Sequence, residues 1–388
     1  MKILQLVTRN ELRGAEVFCS QLSELLTQRG HSVTQAGLYR MRQDSQPLDM
    51  TSVHTVELDG DRQGRIEKRP MLALRELIQH DSPDLIQANG FHAMKYACLL
   101  RKIGTIRQPI VYRNISVASA WVAGRIKQTW GQWLCRSLAH ATSVSETAAE
   151  DFTEFYRFPK NRMTVIRRGV SVPEGLDSSA ARQVLLQELA NSSNKKKINR
   201  IPVLTNSAEL NLICHVGGFT QEKNHVGLLK AFELIHESVH NCHLILFGDG
   251  PLRPEIESKV TSGPLDESVH FMGFRSDARD LVAGCDLMLL TSHIEGIPGV
   301  VLEAAARQVP SVCTNVGSVG EFVDHGRSGF LAEAGNMPGL ANLAIDLLKN
   351  PMQRHQFGQA ALEKVRREYT MNRAAEEFEA LYRKVIKQ

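Results

Sequence analysis

The chain has 388 residues, of which 43% are hydrophobic and 23% are charged. A chain of this length is longer than those that usually fold around a single hydrophobic core, so two domains are expected. The composition excludes disordered, collagen-like and disulfide-scaffold proteins. No apolar run reaches the roughly 18 residues that a transmembrane helix needs. The apolar start at residues 1–7 is too short for a signal peptide and is predicted as a buried strand.

The net charge of +4 is unevenly distributed along the chain. Residues 1–170 contain 24 Lys and Arg against 16 Asp and Glu, whereas the remainder contains 22 against 26. Residues 85–145 contain no acidic side chain, yet they hold all three tryptophans and eight basic residues. Such a segment predicts an anionic partner, for which nucleic acid, a membrane interface and a phosphate-bearing substrate are the alternatives.

Strand and helix patterns alternate through the first 155 residues. Strands are predicted at residues 3–7, 31–37, 53–58, 85–88, 110–113 and 142–144. Helices are predicted at residues 15–29, 70–79, 91–102, 119–138 and 146–155. This alternation indicates a parallel sheet with helices on both faces.

The alternation breaks at residues 176–210, where the pattern allows a short helix beside the polar stretch 191–197. Further strands are predicted at 212–216, 244–247, 269–272, 287–290 and 311–313, each followed by a helix. Helices without intervening strands are predicted at 337–349, 352–367 and 371–387. The predicted fold is α/β, with two tandem doubly wound domains that face each other across a cleft. The predicted divisions are a first domain, a linker with a polar insertion, a second domain and a final helix, at 1–172, 173–210, 211–368 and 369–388.

Seven cysteines are dispersed along the chain without any Cys-x-x-Cys pair. This distribution predicts reduced thiols in the core of a cytoplasmic protein rather than a disulfide framework or a metal site.

The strongest local pattern for chemistry follows the strand at 287–290. Glu295 lies in a polar loop, and Pro298 stands where a helix is predicted to begin. Free backbone amides at a helix start attract a diphosphate. Glu295 and Glu303 can accept hydrogen bonds from sugar hydroxyls. The alternative is that Glu295 is only a charge at a helix N-terminus and Glu303 a solvated helix residue.

Glycines follow three further strands of the second half and one strand of the first. Gly217 and Gly218 precede Lys223, whose point charge suits a phosphate. The alternative is a glycine turn with a solvated lysine. Gly248 and Gly273 follow the next two strands, and Gly14 follows the first strand of the chain. Gly14 lacks the G-x-G-x-x-G spacing of a dinucleotide site.

These residues resemble the family 4 retaining glycosyltransferases, which have the GT-B fold. The matching motifs are Gly14-Ala15-Glu16, Gly30-His31-Ser32-Val33, Val144-Ser145-Glu146, Glu222-Lys223-Asn224, Gly248-Asp249-Gly250-Pro251-Leu252 and the Glu-x7-Glu pair of Glu295 and Glu303. The resemblance covers nearly the whole chain.

The resemblance implies a nucleotide-sugar donor, with a UDP-sugar preferred, in the second domain. Lys223 would bind the diphosphate and Glu303 the ribose diol. Glu295 would hold the donor sugar, together with the turn of Gly296, Ile297, Pro298 and Gly299. Phe274 and Arg275 would lie beside the base, and Gly14, Gly217, Gly218 and Gly248 would also contact the donor. Lys223 and Glu295 are the predicted catalytic residues, and the final helix would pack back on the first domain.

The chain departs from the family pattern at several positions. Gly218 stands where the family usually has Arg, Asn114 where it has His, and Arg168 where it has Asn. Arg13 precedes Gly14 in place of a second glycine and would bring a charge to the donor site. The predicted acceptor side comprises Asn89, His92, Lys95, Arg113 and Asn114, with a structural role as the alternative for His92.

The expected reaction is metal-independent sugar transfer with retention of configuration, to a glycolipid or surface-polysaccharide precursor. Lys223 would stabilise the leaving diphosphate, whose oxygen would take the acceptor's proton. No cofactor and no metal are expected, and the triplet Asp59-Gly60-Asp61 is predicted as a polar turn. The alternatives are a sugar-nucleotide epimerase and a nucleotide-sugar-binding protein with a decayed site. Nucleic-acid binding is disfavoured because no recognised motif is present.

The predicted helix at 119–138 carries an apolar stripe with two interpretations. The stripe comprises Val122, Ile126, Trp130, Trp133 and Leu134. It is typical of a face that packs on the core. The alternative is a surface that docks on anionic lipid at the inner face of a membrane, or that holds a lipid-diphosphate acceptor.

Overall fold

A computed structural model describes residues 1–42, 46–48, 50, 52–61, 65–122, 124–175, 177–192 and 210–387. The chain divides into two compact units. The first comprises Met1–Gly169 together with Glu368–Gln388, and the second comprises Val170–Arg367.

The first unit is built on a seven-stranded parallel sheet of order β3-β2-β1-β4-β5-β6-β7. In chain order its first elements are β1 (Lys2–Val7), α1 (Gly14–Gln28), β2 (Ser32–Tyr39), β3 (His54–Gly60), α2 (Lys68–Asp81), β4 (Leu85–Asn89) and α3 (Phe91–Lys102). The sequence continues with β5 (Ile110–Asn114), α4 (Ala118–Trp121), α5 (Arg125–Cys135), β6 (His140–Ser143), α6 (Glu146–Phe155) and β7 (Met163–Val165). Strands β4 and β5 are buried throughout because helices cover both faces of the sheet.

The second unit contains a six-stranded parallel sheet of order β10-β9-β8-β11-β12-β13. Its elements begin with α7 (Ser178–Ser192), β8 (Asn211–Val216), α8 (His225–Ser238), β9 (Cys242–Phe247), α9 (Arg253–Thr261), β10 (Val269–Gly273) and α10 (Ala278–Leu281). They continue with β11 (Leu287–Leu290), α11 (Gly299–Ala305), β12 (Ser311–Thr314), α12 (Val319–Phe322), β13 (Gly329–Ala332), α13 (Met337–Lys349) and α14 (Pro351–Glu368). The predicted α/β fold with two doubly wound sheets is confirmed.

The final helix, α15 (Met371–Ile386), belongs to the core of the first unit. Phe378 is fully buried, and its ring centroid lies 6.2 Å from that of Phe18 on α1. The Tyr382 hydroxyl donates a hydrogen bond to Gln87 on β4 and accepts one from Gln5 on β1 at 3.4 Å. The prediction that the last helix packs back on the N-terminal domain is therefore confirmed.

The structure differs from the predictions at three places. Strands β7 and β13 were not predicted, and both are short edge strands. The helix predicted at 119–138 is broken into α4 and α5, because Gly124 adopts a φ of +92° before α5 begins. The segment predicted as a linker, 173–210, belongs to the second unit: it contains α7, whose Arg182 bonds to Asp286 at 3.0 Å. From residue 193, the predicted polar insertion lies outside the described residues until 210.

All seven cysteines are free and buried, as predicted for core thiols. Burial raises the pKa of several of them, including Cys19 to about 12. Among the described residues, no helix combines the length and apolar character needed to cross a bilayer.

Candidate functional site

The strand order of the second sheet reverses between the neighbouring strands β8 and β11. Loops that follow two such strands diverge and leave a crevice at their carboxyl ends. Residues 217–224 follow β8, and residues 291–298 follow β11. The two segments that carry the strongest predicted site motifs therefore lie side by side.

Lys223 and Glu295 form an ion pair in which Nζ lies 2.6 Å from Oε1. The Ser292 hydroxyl donates to the same oxygen at 2.6 Å. The side chain of Glu295 is 9% exposed and that of Lys223 is 23% exposed. A carboxylate so far withdrawn from water needs a charged partner, which Lys223 supplies. The structure thus brings together the two residues predicted to be catalytic.

Hydrogen bonds between the two loops hold Lys223 in place. Asn224 has a φ of +53°, which ends the turn that carries Lys223. The Asn224 amide donates to the Thr291 carbonyl at 3.1 Å, and the Thr291 hydroxyl bonds to the carbonyl oxygens of both Lys223 and Asn224. The backbone N–H of His293 donates to the Glu222 carbonyl at 2.8 Å. This network fixes the ammonium group on the crevice side of β8 and β11.

The predicted glycines pack against one another at the ends of β8, β9 and β10. Gly248 has a φ of +133°, and a Cβ on it would lie 2.0 Å from the Gly217 carbonyl oxygen. The N–H of Gly248 donates to the Gly273 carbonyl at 2.7 Å. A Cβ on Gly218 would meet only the Asp249 carbonyl oxygen, at 3.6 Å, and the edge of Thr220. Gly248 therefore permits a close backbone approach, whereas a Cβ on Gly218 would make only ordinary van der Waals contacts.

Gly248→Ala is expected to destabilise the protein by about 2–4 kcal/mol, because the new methyl group forces the backbone of Gly217 away and strains φ. Urea unfolding monitored by circular dichroism measures the effect. Gly218→Ala is the matched control and should change stability by less than about 0.5 kcal/mol. Equal stability of the two variants would contradict the described packing.

The turn of Gly296, Ile297, Pro298 and Gly299 is buried beside Glu295. Pro298 directly precedes α11 with a φ of −71°, as its ring requires. Glu303 lies within α11, partly exposed, and its carbonyl oxygen accepts a hydrogen bond from Arg307 at 3.3 Å.

The residues predicted beside the base lie after β10. Phe274 is exposed. Arg275 forms ion pairs with Asp277 at 2.7 Å and with Glu188 on α7. The hydrogen bonds that Arg275 donates to these two carboxylates raise its pKa above the ordinary value. Arg275 thus connects this loop to α7.

Two residues predicted on the acceptor side use their side chains for hydrogen bonds within the first unit. The Asn89 amide donates to Gln5 Oε1 at 3.0 Å, and its carbonyl oxygen accepts from Gln87 at 3.1 Å. The Asn114 amide donates to the Ala148 carbonyl at 3.1 Å and to Ser143 at 3.3 Å. Both side chains therefore organise the carboxyl ends of β4 and β5.

His92 and Lys95 lie in the first turns of α3. Burial, and secondarily the charge of Lys95, lowers the pKa of His92 to about 4. His92 is therefore neutral at pH 7, with its ring edge-on to Tyr39 at a centroid distance of 6.1 Å. Lys95 is buried, and burial lowers its pKa as well. Its ammonium lies 5.3 Å from the Tyr96 ring centroid.

Gly14 and Arg113, also predicted site residues, lie near the start of α1. Gly14 is exposed and opens the helix. Arg113 is buried at the end of β5, and its guanidinium carbon lies 3.8 Å from the Phe18 ring centroid. The prediction of a polar turn at Asp59-Gly60-Asp61 is wrong for its first two residues, which lie in strand β3. Asp59 pairs with Arg69 at 2.7 Å and with Arg40 at 3.3 Å.

Sequence reasoning missed three residues of the second unit's site. Ser292 holds Glu295, and Gly317, with a φ of +54°, approaches so closely that a Cβ would lie 1.9 Å from the Glu295 carbonyl oxygen. His215 bonds through Nδ1 to the Leu289 carbonyl at 2.9 Å beneath Gly217, and burial lowers its pKa to about 4. For His215, the sequence feature that could have indicated a role in the site is a histidine among the apolar residues of a strand.

Two family models match the chain. "Glycosyltransferase Family 4" matches residues 12–173, and "Glycosyl transferases group 1" matches residues 197–364. Between them they cover most of the chain.

Curated relatives include a synthase and several proteins named as glycosyltransferases. The N-acetyl-alpha-D-glucosaminyl L-malate synthase of Bacillus anthracis is 33% identical over 176 residues, which are 45% of this chain and 46% of the relative. The matched region is thus about half of that protein. The capsular polysaccharide biosynthesis glycosyltransferase CapM of Staphylococcus aureus is 24% identical over 66% of this chain and 61% of its own.

Solved structures share the fold over nearly the whole chain. Anabaena HepE in complex with UDP-glucose has a TM-score of 0.80 at 20% identity, covering 98% of this chain and 99% of its own. Sucrose-phosphate synthase from Thermosynechococcus elongatus has a TM-score of 0.81 at 17% identity, with coverage of 100% and 99%. Together with the two family models, these matches establish that the chain belongs to the family 4 glycosyltransferases and has their GT-B fold.

Proposed function

We propose that this chain transfers a sugar from a UDP-sugar to a glycan or lipid-linked acceptor, with retention of configuration and without a metal ion or other cofactor. The observation that carries the proposal is the 2.6 Å ion pair of Lys223 and Glu295 where the strand order reverses. The UDP-glucose complex of HepE, which shares the fold, supports the choice of nucleotide.

Lys223 acts on the leaving group. As the bond between the sugar and the diphosphate breaks, negative charge develops on the β-phosphate, and a fixed ammonium stabilises that charge. Glu295 and the inter-loop hydrogen bonds position the ammonium before the donor arrives. A fixed cation of this kind supplies the charge that a divalent metal would otherwise contribute.

Retention follows from attack on the face from which the diphosphate departs. The acceptor oxygen forms a bond to the anomeric carbon, and the bond from that carbon to the β-phosphate oxygen breaks. The acceptor's proton passes to the departing phosphate oxygen, so no second carboxylate is required as a base. Glu295 accepts hydrogen bonds from the sugar hydroxyls beside the turn of residues 296–299, and Glu303 binds the ribose diol.

The decisive experiment incubates the protein and an acceptor panel with UDP-, GDP- and ADP-sugars in the presence of EDTA. We expect release of UDP and formation of a glycoside whose anomeric configuration, read by NMR, matches that of the donor. If EDTA stops the release of UDP, the proposal that the reaction needs no metal ion is wrong. An isomerised donor formed without acceptor would indicate an epimerase. Tight nucleotide binding with no turnover would indicate a decayed site.

Of the two acceptor classes we favour the lipid-linked one, which the first unit would meet at an anionic membrane. Ile126 is 88% exposed and Trp133 is 41% exposed, so the interpretation of this stripe as a core face is wrong for these two residues. They are seven residues apart on α5 and therefore share a face. The ammonium of Lys102, at the end of α3, lies 4.1 Å from the Trp133 ring centroid. Lys102, Ile126 and Trp133 form a basic–aromatic patch suited to anionic lipid, and the exposed Ile103 and Lys127 adjoin two of these residues in the chain.

Ile126→Glu is expected to weaken binding to vesicles of 30% phosphatidylglycerol by about tenfold, because an exposed apolar side chain is lost and a negative charge is added. Co-sedimentation at low salt measures the effect. Leu72→Glu on α2, where the leucine is also exposed, is the matched control and should bind like the wild type. Wild-type protein that stays in the supernatant at low salt would overturn the membrane assignment.

A further inference from the structure

The second sheet splits between β8 and β11 just before the crevice. The ladder between these two strands ends at the pair of Cys214 and Met288. Beyond that level β8 stays paired with β9 as far as Val216, and β11 stays paired with β12 as far as Leu290. The spacing of β8 and β11 at the mouth of the crevice is therefore set by contacts other than their ladder.

His215, the first residue of β8 beyond that ladder, spans the opening with its side chain. Its Nδ1 lies 2.9 Å from the carbonyl oxygen of Leu289, the first residue of β11 beyond the ladder. A carbonyl oxygen only accepts hydrogen bonds, so Nδ1 carries the proton. The imidazole therefore ties the two strands together at the level where their backbones separate.

The other ring nitrogen of His215 faces the loop that carries Lys223. A Cβ placed on Gly217 would lie 3.1 Å from His215 Nε2 and 3.6 Å from both Cγ and Cδ of Lys223. The imidazole and the stem of the lysine therefore pack close to the same point of the backbone. In a close-packed interior, a shift of the ring displaces the loop that rests on it.

The His215 imidazole is fully buried and neutral. Burial lowers its pKa to about 4, and the charge of Lys223 acts in the same direction. With the proton on Nδ1, Nε2 is a bare acceptor, and among the described residues it receives no hydrogen bond. A buried nitrogen without a partner costs free energy that an apolar side chain would avoid. Packing alone therefore does not account for a histidine at this position.

Two further rings fix the orientation of the His215 imidazole. The ring of His225, at the start of α8, stands edge-on to it at a centroid distance of 4.9 Å and an interplanar angle of 80°. His225 is in turn stacked on Phe219 at a centroid distance of 4.0 Å. Both His225 and Phe219 are buried. This packing leaves the His215 side chain little room to change its rotamer.

We propose that His215 is a positioning residue of the transfer reaction, which sets the separation of β8 and β11 and thereby the place of the Lys223 ammonium at the leaving diphosphate. The inference rests on the proposed sugar transfer and deepens its account of Lys223. An ammonium held in place before the donor binds stabilises the developing charge without reorganisation. His215 touches no reacting atom in this role.

Two substitutions at His215 separate positioning from packing. His215→Leu fills the apolar interior but removes the N–H that Leu289 accepts. His215→Asn keeps an N–H on the atom bonded to Cγ, which is the place of Nδ1. We expect kcat to fall about tenfold in His215→Leu with little change in the donor KM, and to stay within about threefold of the wild type in His215→Asn. If packing alone mattered, leucine would be the better replacement in an apolar strand.

His243→Leu is the matched control. His243 lies near the amino end of the neighbouring strand β9, where its Nδ1 is 3.1 Å from His270 Nε2. Its kcat should remain within about twofold of the wild type, because the substitution does not alter the crevice. The double variant of His215→Leu and Lys223→Ala tests the route of the effect. If His215 acts through Lys223, the double variant is no slower than Lys223→Ala alone.

Long-range proton–nitrogen NMR of the wild type, with isotope-labelled histidine, provides a measurement that needs no turnover. The signal that disappears in the His215 variants should show a proton on Nδ1 and a bare Nε2 at pH 7. A proton on Nε2, an unchanged kcat in His215→Leu, or equal losses in the Leu and Asn variants would overturn the proposal. Failure of both variants to fold would overturn it too, because His215 would then be only structural. Wild-type protein that transfers no sugar refutes the proposed function itself, so the two failures are distinguishable.

Discussion

Lys223→Ala is expected to lower kcat for sugar transfer by about 100-fold or more, with a smaller change in the KM for the donor. Charge on the departing diphosphate is greatest in the transition state, so losing the ammonium penalises the transition state more than the bound substrate. Steady-state release of UDP measures the effect. Melting temperatures should be recorded as well, because removing Lys223 leaves the buried Glu295 carboxylate without its partner.

The matched control is Lys259→Ala on α9. Lys259 also pairs with a glutamate, Glu255, at 2.7 Å, but this pair is exposed on the surface of the same unit. We expect kcat within twofold of the wild type for Lys259→Ala. Comparable rates for the Lys223 and Lys259 variants would refute the assignment of Lys223 to the leaving group.

Glu295→Gln is expected to reduce kcat/KM by about 100-fold, while leaving the fold intact because the amide preserves the size of the side chain. The substitution removes the charge that holds Lys223 and weakens the acceptor for sugar hydroxyls. Glu255→Gln on α9 is the control, because it removes the carboxylate of the surface pair, and should be nearly neutral.

The double variant of Lys223→Ala and Glu295→Gln tests whether the pair acts as a unit. The side chains touch, so the loss in the double variant should be much smaller than the product of the two single losses. Strictly multiplicative losses would show that the two residues act independently and that Glu295 does not position Lys223.

The central strands could be predicted because burial on both faces leaves an unbroken apolar run. Strands β7 and β13 escaped prediction, since each is an edge strand of three or four residues with partly exposed side chains. The period of the stripe containing Ile126 and Trp133 predicts a core face because it fits a buried helix. Periodicity shows which residues share a face, but it cannot show whether another element covers that face.

The site could be predicted only as far as local motifs extend. Lys223 and Glu295 each follow a strand, but their contact depends on β8 and β11 being neighbours, which strand order alone decides. Gly317 packs against Glu295 although it lies 22 residues further along the chain, and no sequence motif around Gly317 indicates this contact.

The place of α15 in the first unit has a consequence for biosynthesis. The bond between Tyr382 and Gln87 joins residues 295 positions apart, with the whole second unit between them in the chain. A ribosome finishes residues 170–367 before it makes the helix that covers Phe18 and Gln5. During that interval the nascent first unit displays an uncovered apolar surface, which makes it a client for chaperones that shield unfinished chains.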